Sequence, residues 1–294
     1  MILITGGSGQ LGHALVVQAR GRGLACTEVT RPMFDFEQPE TIAECFAKTA
    51  PSLVINAAAY TLVDAAETNP DAAKAGNHLG PLALARLCAA ADIPLLHIST
   101  DYVFDGAKGA PYLEQDATNP AGVYGTTKRD GEVAVLASSA KAIILRTAWV
   151  YGAHGKNFAR TMLSAGQKMP LLRVVADQRG TPTSANDLAH AILQIVYNVQ
   201  STGWADHYRG IYHATGAGET TWHGFAGAIF EHAAALGRTP PQLQPISTAD
   251  WPTPARRPAD SRLDNGKLAE VFGVRLPDWR ASVGGVVREI LAEP

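Results

Sequence analysis

The segment TGGSGQLG, residues 5–12, follows the short apolar run Ile2–Thr5 near the N-terminus. The next residues, Leu11–Arg20, carry apolar side chains at helical spacing. Glycines between a first strand and a first helix permit a tight turn and let a pyrophosphate approach the backbone N–H groups. The segment alone would also suit an ordinary glycine-rich turn. Its position predicts a dinucleotide-binding loop that uses Gly6, Gly9 and Gly12.

Short apolar runs alternate with longer amphipathic stretches through the first half of the chain. After the first strand, the runs expected to be strands are Leu24–Val29, Leu53–Asn56, Leu95–Ser99 and Ala142–Thr147. The expected helices are Leu11–Arg20, Glu40–Lys48, Asp71–Ala90 and Thr126–Ala137. Continuous apolar strands separated by helices indicate a parallel sheet covered on both faces. The sequence therefore predicts a doubly wound α/β fold of the Rossmann type, with ligands at the carboxyl ends of the strands.

The pattern loosens after Val150. We expect two loops, a helix and a short strand, in the order Gly152–Gly155, Gln178–Pro182, Ser184–Val199 and Gly210–Ala214. The proline-rich stretch Pro240–Pro258 predicts extended loops around a pocket rather than regular structure.

This difference between the two halves predicts two domains. Residues 1–150 would form the dinucleotide-binding domain, to which residues from about 184 to 215 return. Residues 151–183 and 216–294 would form a smaller, discontinuous substrate-binding domain.

Charge and composition exclude several classes of protein. The formal net charge is −2, from 25 basic and 27 acidic residues, without a basic run that would indicate nucleic-acid or electrostatic membrane binding. Its apolar runs are shorter than the ~20 residues of a membrane span, and the first residues lack the pattern of a signal peptide. Three cysteines form no CxxC pair, and the histidines form no HExxH motif. We expect a cytoplasmic protein without a metal site.

Arg31 follows the second expected strand. An acidic residue there would bind a ribose 2′-hydroxyl, whereas arginine can bind a 2′-phosphate. Arg31 therefore favours NADPH as the cofactor, with NADH as an alternative donor. An ordinary solvated loop charge explains Arg31 about equally well.

Tyr124 and Lys128 are four residues apart and would share one face of a helix. A free tyrosine has a pKa of about 10, and a neighbouring ammonium would lower that pKa toward the range of general acid–base catalysis. The pair follows the strand that ends at Ser99. A hydroxyl there, on Ser99 or Thr100, would hold a substrate oxygen beside Tyr124; alternatively, these hydroxyls only cap the strand end.

The sequence resembles the dTDP-4-dehydrorhamnose reductases within the extended short-chain dehydrogenases. The resemblance covers nearly the whole chain, and the glycine loop and YxxxK are shared by the wider superfamily. The more specific segments are STDYVFDG (99–106), RTAWVYG (146–152), DQRGTPT (177–183) and PTPARRP (252–258).

The resemblance implies reduction of the 4-keto group of dTDP-4-dehydro-L-rhamnose to dTDP-L-rhamnose. Thr100 would bind the carbonyl oxygen with support from Asp101, Tyr124 would donate the proton, and Lys128 would bind the nicotinamide ribose. Trp149 would contact the sugar, although a core tryptophan is the alternative. The further residues that would line the cofactor are Gln10, Leu11, Asp35, Phe36, Ala58, Ala59 and Tyr60.

Arg256 and Arg257 are predicted to bind the substrate diphosphate, because forked guanidinium groups match phosphate oxygens. A surface ion pair is the alternative. Some members of the family are described as dimers that hold Mg²⁺ between carboxylates, one of them on the first helix. The matching residue here is Ala14, so we predict a monomer, or a homodimer without interfacial magnesium.

Two other functions share this pattern. A nucleotide-sugar epimerase or dehydratase would regenerate its cofactor, whereas a reductase consumes it. A non-catalytic NADP-binding regulatory subunit, as in methionine adenosyltransferase, would keep the fold without turnover.

Overall fold

A computed structural model describes residues 1–292 and contains a six-stranded, fully parallel central sheet in the order β2-β1-β3-β4-β5-β10. Its strands are β1 (Ile2–Thr5), β2 (Cys26–Val29), β3 (Leu53–Asn56), β4 (Leu95–Thr100), β5 (Ala142–Thr147) and β10 (Gly210–His213). The succession of strands reverses between β1 and β3, which opens a crevice at their carboxyl ends. This arrangement confirms the predicted doubly wound fold.

Helices cover both faces of the sheet. The first seven are α1 (Gln10–Gly21), α2 (Pro39–Thr49), α3 (Val63–Ala66), α4 (Pro70–Lys74), α5 (Gly80–Ala90), α6 (Val123–Ser138) and α7 (Phe158–Gly166). The remaining four are α8 (Ala185–Thr202), α9 (Trp222–Ala235), α10 (Gly266–Phe272) and α11 (Trp279–Ala292). One core cluster joins the sheet to α1 and α8 through residues such as Leu15 and Ile192. A second lies on the opposite face and includes Leu84 of α5 and Val135 of α6.

A third core cluster lies apart from the sheet and joins α7, α9 and α11. Short strands surround it: β6 (Val150–Tyr151), β7 (Leu171–Val175), β8 (Arg179–Gly180), β9 (Thr183–Ser184), β11 (Thr220–Thr221) and β12 (Gln242–Ile246). These strands form three two-stranded sheets, of which the longest pairs β12 with β7 in parallel. The division of the chain into two domains stays a prediction. In the described part of the chain, residues 1–292, no helix combines the length and apolarity that a membrane span requires.

Several predicted boundaries need correction. The second strand starts at Cys26 rather than Leu24, and the helix with the Tyr124–Lys128 pair starts at Val123 rather than Thr126. The loop Gln178–Pro182 contains the short strand β8. Pro240–Pro258 is not irregular throughout, because β12 lies within it. Pro245 is tolerated in β12 because this strand pairs on one side only.

The predicted single helix Asp71–Ala90 is three segments. A π-helical turn, Ala75–Leu79, separates α4 from α5. Such turns are rare and are frequently found at functional sites. The polar residue at its centre, Asn77, is fully buried and faces the sheet edge described next.

Candidate active site

The glycine loop connects β1 to α1 at the crevice. Gly6 has a φ of +69°, and a Cβ there would come within 2.9 Å of the Ala57 backbone in the loop after β3. A Cβ on Gly12 would lie 2.0 Å from the Gly6 carbonyl oxygen. Because Gly6 and Gly12 lack a Cβ, α1 can start close to the glycine loop and the glycine loop can lie close to the loop after β3. Gly9 precedes α1 without a side-chain cap, which leaves backbone N–H groups available to an anion.

A second loop, Gly152–Asn157, lies against this start of α1. His154 hydrogen bonds the Ser8 carbonyl at 3.1 Å and stacks on His13 with ring centroids 4.1 Å apart. The Gln10 amide donates to the Val150 carbonyl at 3.5 Å. The Gln10 side-chain oxygen is buried and lacks a hydrogen-bond partner among residues 1–292. Leu11 is buried in the core, so only its backbone is offered to a ligand here.

Arg31 lies just beyond β2 and is mostly exposed. Its guanidinium forms ion pairs with Glu37 at 2.9 Å and with Asp35 at 3.2 Å. The Phe36 ring is buried against Gly80 at the start of α5. The structure thus places Arg31 and Asp35 together at the end of β2, whereas the Phe36 side chain forms part of the core.

Ala58, Ala59 and Tyr60 follow β3 on the other side of the crevice, and all three are partly exposed. Asn77 of the π turn fixes this loop. Its side chain accepts from the Tyr60 N–H at 2.9 Å and donates to the Tyr60 carbonyl at 3.1 Å and the Thr127 hydroxyl at 3.2 Å. The π turn therefore holds the loop after β3 against α6.

Thr100 ends β4 at the same edge of the sheet. Its hydroxyl donates to a carboxylate oxygen of Asp101 at 2.9 Å and accepts from the Tyr102 N–H at 3.2 Å. Asp101 is 2% exposed. The Ser261 side chain lies near its carboxylate but hydrogen bonds the Arg179 carbonyl, so the other carboxylate oxygen has no hydrogen-bond partner within residues 1–292. Burial raises the pKa of Asp101 to about 6. A buried carboxylate oxygen without a partner is suited to a substrate hydroxyl.

Tyr124 lies in the first turn of α6, and its ring packs edge-on against Tyr102 with centroids 5.5 Å apart. Burial raises the pKa of Tyr124 to about 12, and the Asp101 carboxylate adds to this effect; an interaction with the Thr100 side chain opposes it. The sequence predicted the opposite direction. That prediction is wrong for this structure, because burial of the phenol dominates and Lys128 is not among the groups that change its pKa.

Lys128 is 2% exposed, and its ammonium donates to the Ile98 carbonyl at 2.6 Å. Burial lowers the pKa of Lys128 to about 8, and Glu132 opposes the shift. The structure thus brings Thr100, Tyr124 and Lys128 to one edge of the sheet, between β4 and α6.

Trp149 follows β5 with a φ of +46°, an unusual backbone conformation for a large side chain. Its ring stacks on Trp222 at the start of α9, with centroids 3.6 Å apart and planes 10° apart. The Trp222 indole N–H donates to the Gln178 side chain at 3.1 Å. This stacked pair of indoles, which remains partly exposed, joins the sheet to the smaller group of helices.

Arg257 and Arg256 have different surroundings. The Arg257 guanidinium forms a two-pronged pair with Asp64 of α3, at 3.1 and 2.9 Å, and hydrogen bonds Thr253. Arg256 is exposed, and in residues 1–292 it forms no ion pair. Asp64 also accepts from the Ala255 N–H, so two contacts connect the loop after β3 to the loop that carries both arginines.

Metal ligands do not cluster in the described residues. Histidine, cysteine and carboxylate side chains form no group of three in residues 1–292 that could hold a metal ion. Ala14 is 4% exposed and belongs to the core beneath α1. The absence of an interfacial magnesium ion stays a prediction.

Sequence reasoning missed several residues of this edge. Glu132 and Arg146 form a buried ion pair below Lys128, and the spacing Tyr124, Lys128, Glu132 was a visible signal for the first of them. The others lack a local signal, because their contacts depend on distant parts of the chain: Asp64, Asn77 and Trp222.

Known proteins resemble this chain over nearly its whole length. A family model described as the RmlD substrate binding domain matches residues 1–292. A dTDP-4-dehydrorhamnose reductase of Sinorhizobium fredii is 43% identical over 292 residues, covering 99% of this chain and 98% of the relative.

Two solved structures agree with this match. A dTDP-4-dehydrorhamnose reductase from Clostridium acetobutylicum is 36% identical with a TM-score of 0.91, covering 99% of both chains. One from Bacillus anthracis, in complex with NADP, is 31% identical with a TM-score of 0.90, covering 98% of both chains. The chain therefore belongs to the dTDP-4-dehydrorhamnose reductase family and is an oxidoreductase.

Proposed function

We propose that this protein reduces the 4-keto group of dTDP-4-dehydro-L-rhamnose to dTDP-L-rhamnose with NADPH. The observation that carries the proposal is the meeting of Thr100, Tyr124 and Lys128 at one edge of the sheet. The choice of substrate follows the names of the relatives. The choice of cofactor follows the Bacillus anthracis neighbour, which is in complex with NADP.

The crevice between β1 and β3 has the features that a dinucleotide requires. Uncapped N–H groups at the start of α1 suit the pyrophosphate, and the buried Gln10 oxygen is available as an acceptor. Ala58, Ala59 and Tyr60 would line the opposite side. When bound, NADPH supplies the hydride, and Lys128 would hold the nicotinamide ribose.

The proton comes from Tyr124 in this proposal. A raised pKa keeps the phenol protonated at neutral pH, as a proton donor must be. Thr100 and Tyr124 would share the carbonyl oxygen of the substrate. As the oxygen gains negative charge during reduction, the phenol proton moves to it, and the Thr100 hydroxyl stabilises that charge by a hydrogen bond.

Four further residues would hold the sugar nucleotide. The partnerless oxygen of Asp101 would accept a sugar hydroxyl, and the exposed part of Trp149 would pack on the sugar ring. Arg257 would exchange its partner Asp64 for the diphosphate, and exposed Arg256 would assist.

Arg31 would select between the two nicotinamide cofactors. Its guanidinium lies at the end of β2, where a ribose 2′-phosphate would bind, although it is paired with Asp35 and Glu37 in this structure. We therefore expect NADPH to be preferred, with NADH accepted more weakly.

The deciding experiment is a reductase assay with dTDP-4-dehydrorhamnose and each nicotinamide in turn. Oxidation of NADPH in proportion to the sugar consumed would support the proposal. Product formation without net oxidation of NADPH would instead indicate an epimerase or dehydratase. Binding of NADP without turnover would indicate a regulatory subunit.

A further inference from the structure

A buried ion pair lies one helical turn below Lys128. The Arg146 guanidinium contacts both carboxylate oxygens of Glu132, at 2.8 and 2.7 Å, and each of these side chains is 2% exposed. Glu132 follows Lys128 by four residues on α6, so the two side chains lie on the same face. In the register of the sheet, Arg146 of β5 lies opposite Ser99 of β4, the residue directly before Thr100. The ion pair thus joins α6, which carries Tyr124 and Lys128, to β5, the neighbour of the strand that ends at Thr100.

Stability alone is a weak reason for such a pair. Removing two charges from water costs about as much as their attraction returns, and apolar residues of similar volume often replace such pairs without loss. Arg146 also packs over the Phe104 ring, 4.9 Å from its centroid, and one of its terminal nitrogens has no hydrogen-bond partner within residues 1–292. The position of the pair beside Lys128 gives the better explanation.

Few titratable groups surround Lys128. On α6 these are Tyr124 and Glu132. Among residues 1–292, Glu132 is the only titratable group that favours the ammonium form of Lys128. On β4 the titratable group is His97, and Asp101 lies just after the strand; burial and the neighbouring ammonium hold the pKa of His97 far below its usual range, so this imidazole is neutral. Arg146 of β5 contacts Glu132, and the backbone of His78 in the π turn lies against Gly131 of α6.

We propose that Glu132, held in place by Arg146, is a positioning residue that keeps Lys128 in its ammonium form. This inference rests on the proposed role of Lys128 at the nicotinamide ribose. Arg146 orients the carboxylate, and the carboxylate offsets the loss of water around the lysine. Without it, Lys128 would lose its proton near neutral pH.

The test is Glu132→Gln, which keeps the shape of the side chain and removes its charge. The ionisation of Lys128 is followed by NMR of protein labelled in lysine at 13Cε and 15Nζ, with Lys128→Arg to assign the signal. We expect the titration midpoint to fall by about one pH unit or more, the shift that a lost neighbouring charge causes. An unchanged midpoint would overturn the proposal.

Enzyme kinetics give a second readout. The alkaline limb of kcat against pH should move toward neutrality by the same amount in Glu132→Gln, with little change in kcat near pH 6. A loss of kcat that is equal at every pH would show a structural role only. In a Lys128→Arg background the cation cannot lose its proton, so this alkaline limb should be absent and Glu132→Gln should not bring it back.

Controls separate this proposal from the others. Glu44→Gln removes the same charge from an exposed position on α2 and should shift neither readout. If Glu132→Gln does not fold, Arg146→Lys keeps the net charge but loosens the carboxylate. It should lower the Lys128 midpoint by a smaller amount, and no change would contradict the proposal. If the wild-type protein does not reduce the substrate, the proposed function fails, but the NMR titration still decides the role of Glu132.

Discussion

The edge of β4 and the loop of residues 251–258 both carry charged residues of the proposed site, but these residues differ in their exposure to solvent. Lys128 and Asp101 are each 2% exposed and have strongly shifted pKa values. The Arg257 side chain is 25% exposed and paired with a partner that is 41% exposed. Buried charges are fixed by few neighbours and suit the exact orientation of the reacting groups. Solvated charges exchange partners at little cost and suit the binding of an anion.

The largest expected effect is a loss of kcat at the buried edge of β4. Tyr124→Phe removes the proposed proton donor and keeps the ring against Tyr102, so kcat should fall by a factor of about 10² to 10⁴. Binding of NADPH, measured by fluorescence titration, should change little. Turnover within tenfold of wild type would remove Tyr124 from the mechanism.

The solvated loop should respond in substrate binding instead. Arg257→Ala removes a charge-assisted contact to the proposed diphosphate, so the substrate KM should rise about tenfold or more while the KM for NADPH stays constant. Equal small effects on both constants would contradict the assignment.

Asp64→Asn is the sharper companion of that variant. It removes the competing carboxylate, so the substrate KM should fall by a factor of about two to five, the range of an exposed ion pair. A rise in KM would mean that Asp64 orders the loop rather than competes with substrate.

A smaller effect concerns Asp101 and pH. The pKa of this carboxyl is about 6 in the folded protein and near 3.8 when unfolded, so the folded state loses stability as pH rises from about 4 to 6. Asp101→Asn should therefore raise the Tm at pH 7.5 by roughly 6 °C and have less effect at pH 4. Thermal unfolding at both pH values checks this.

The pH dependence of activity should also report the ionisation of Asp101. The ionised carboxylate is a stronger acceptor for a sugar hydroxyl than the protonated carboxyl group, so kcat/KM should fall as pH drops below about 6. The acid limb should be absent in Asp101→Asn, which should also have a lower plateau. An unchanged limb would assign it to another group.

The smallest expected effect is at Trp149, where the sheet meets the smaller group of helices. Trp149→Phe keeps an aromatic ring but reduces the stacking area on the sugar and on Trp222, so the substrate KM should rise by a factor of about two to ten. A change confined to Tm would indicate that Trp149 only joins the two parts of the chain.

The sequence predicted the fold better than the site. Strands such as β3 and β5 were placed correctly because strands buried on both faces are continuous apolar runs. The π turn was missed because it lies between two helical segments and has no sequence signal of its own. The Arg257–Asp64 pair joins residues 193 positions apart, and no local pattern predicts such a contact.

The pKa of Tyr124 shows a different limit. Helical spacing places Lys128 on the same face, but it does not reveal that the ammonium donates to the Ile98 carbonyl. The direction of the shift depends on burial, which spacing alone does not give.

The π turn has a consequence for how the length of this chain can vary. An α-helix turns about 100° per residue, so deleting one residue between Ala75 and Leu79 would restore a continuous helix only by rotating α4 relative to α5. Asn77 would then leave either the Tyr60 backbone or the Thr127 hydroxyl. Insertions and deletions should accordingly be tolerated in surface loops of this chain but not in this five-residue turn.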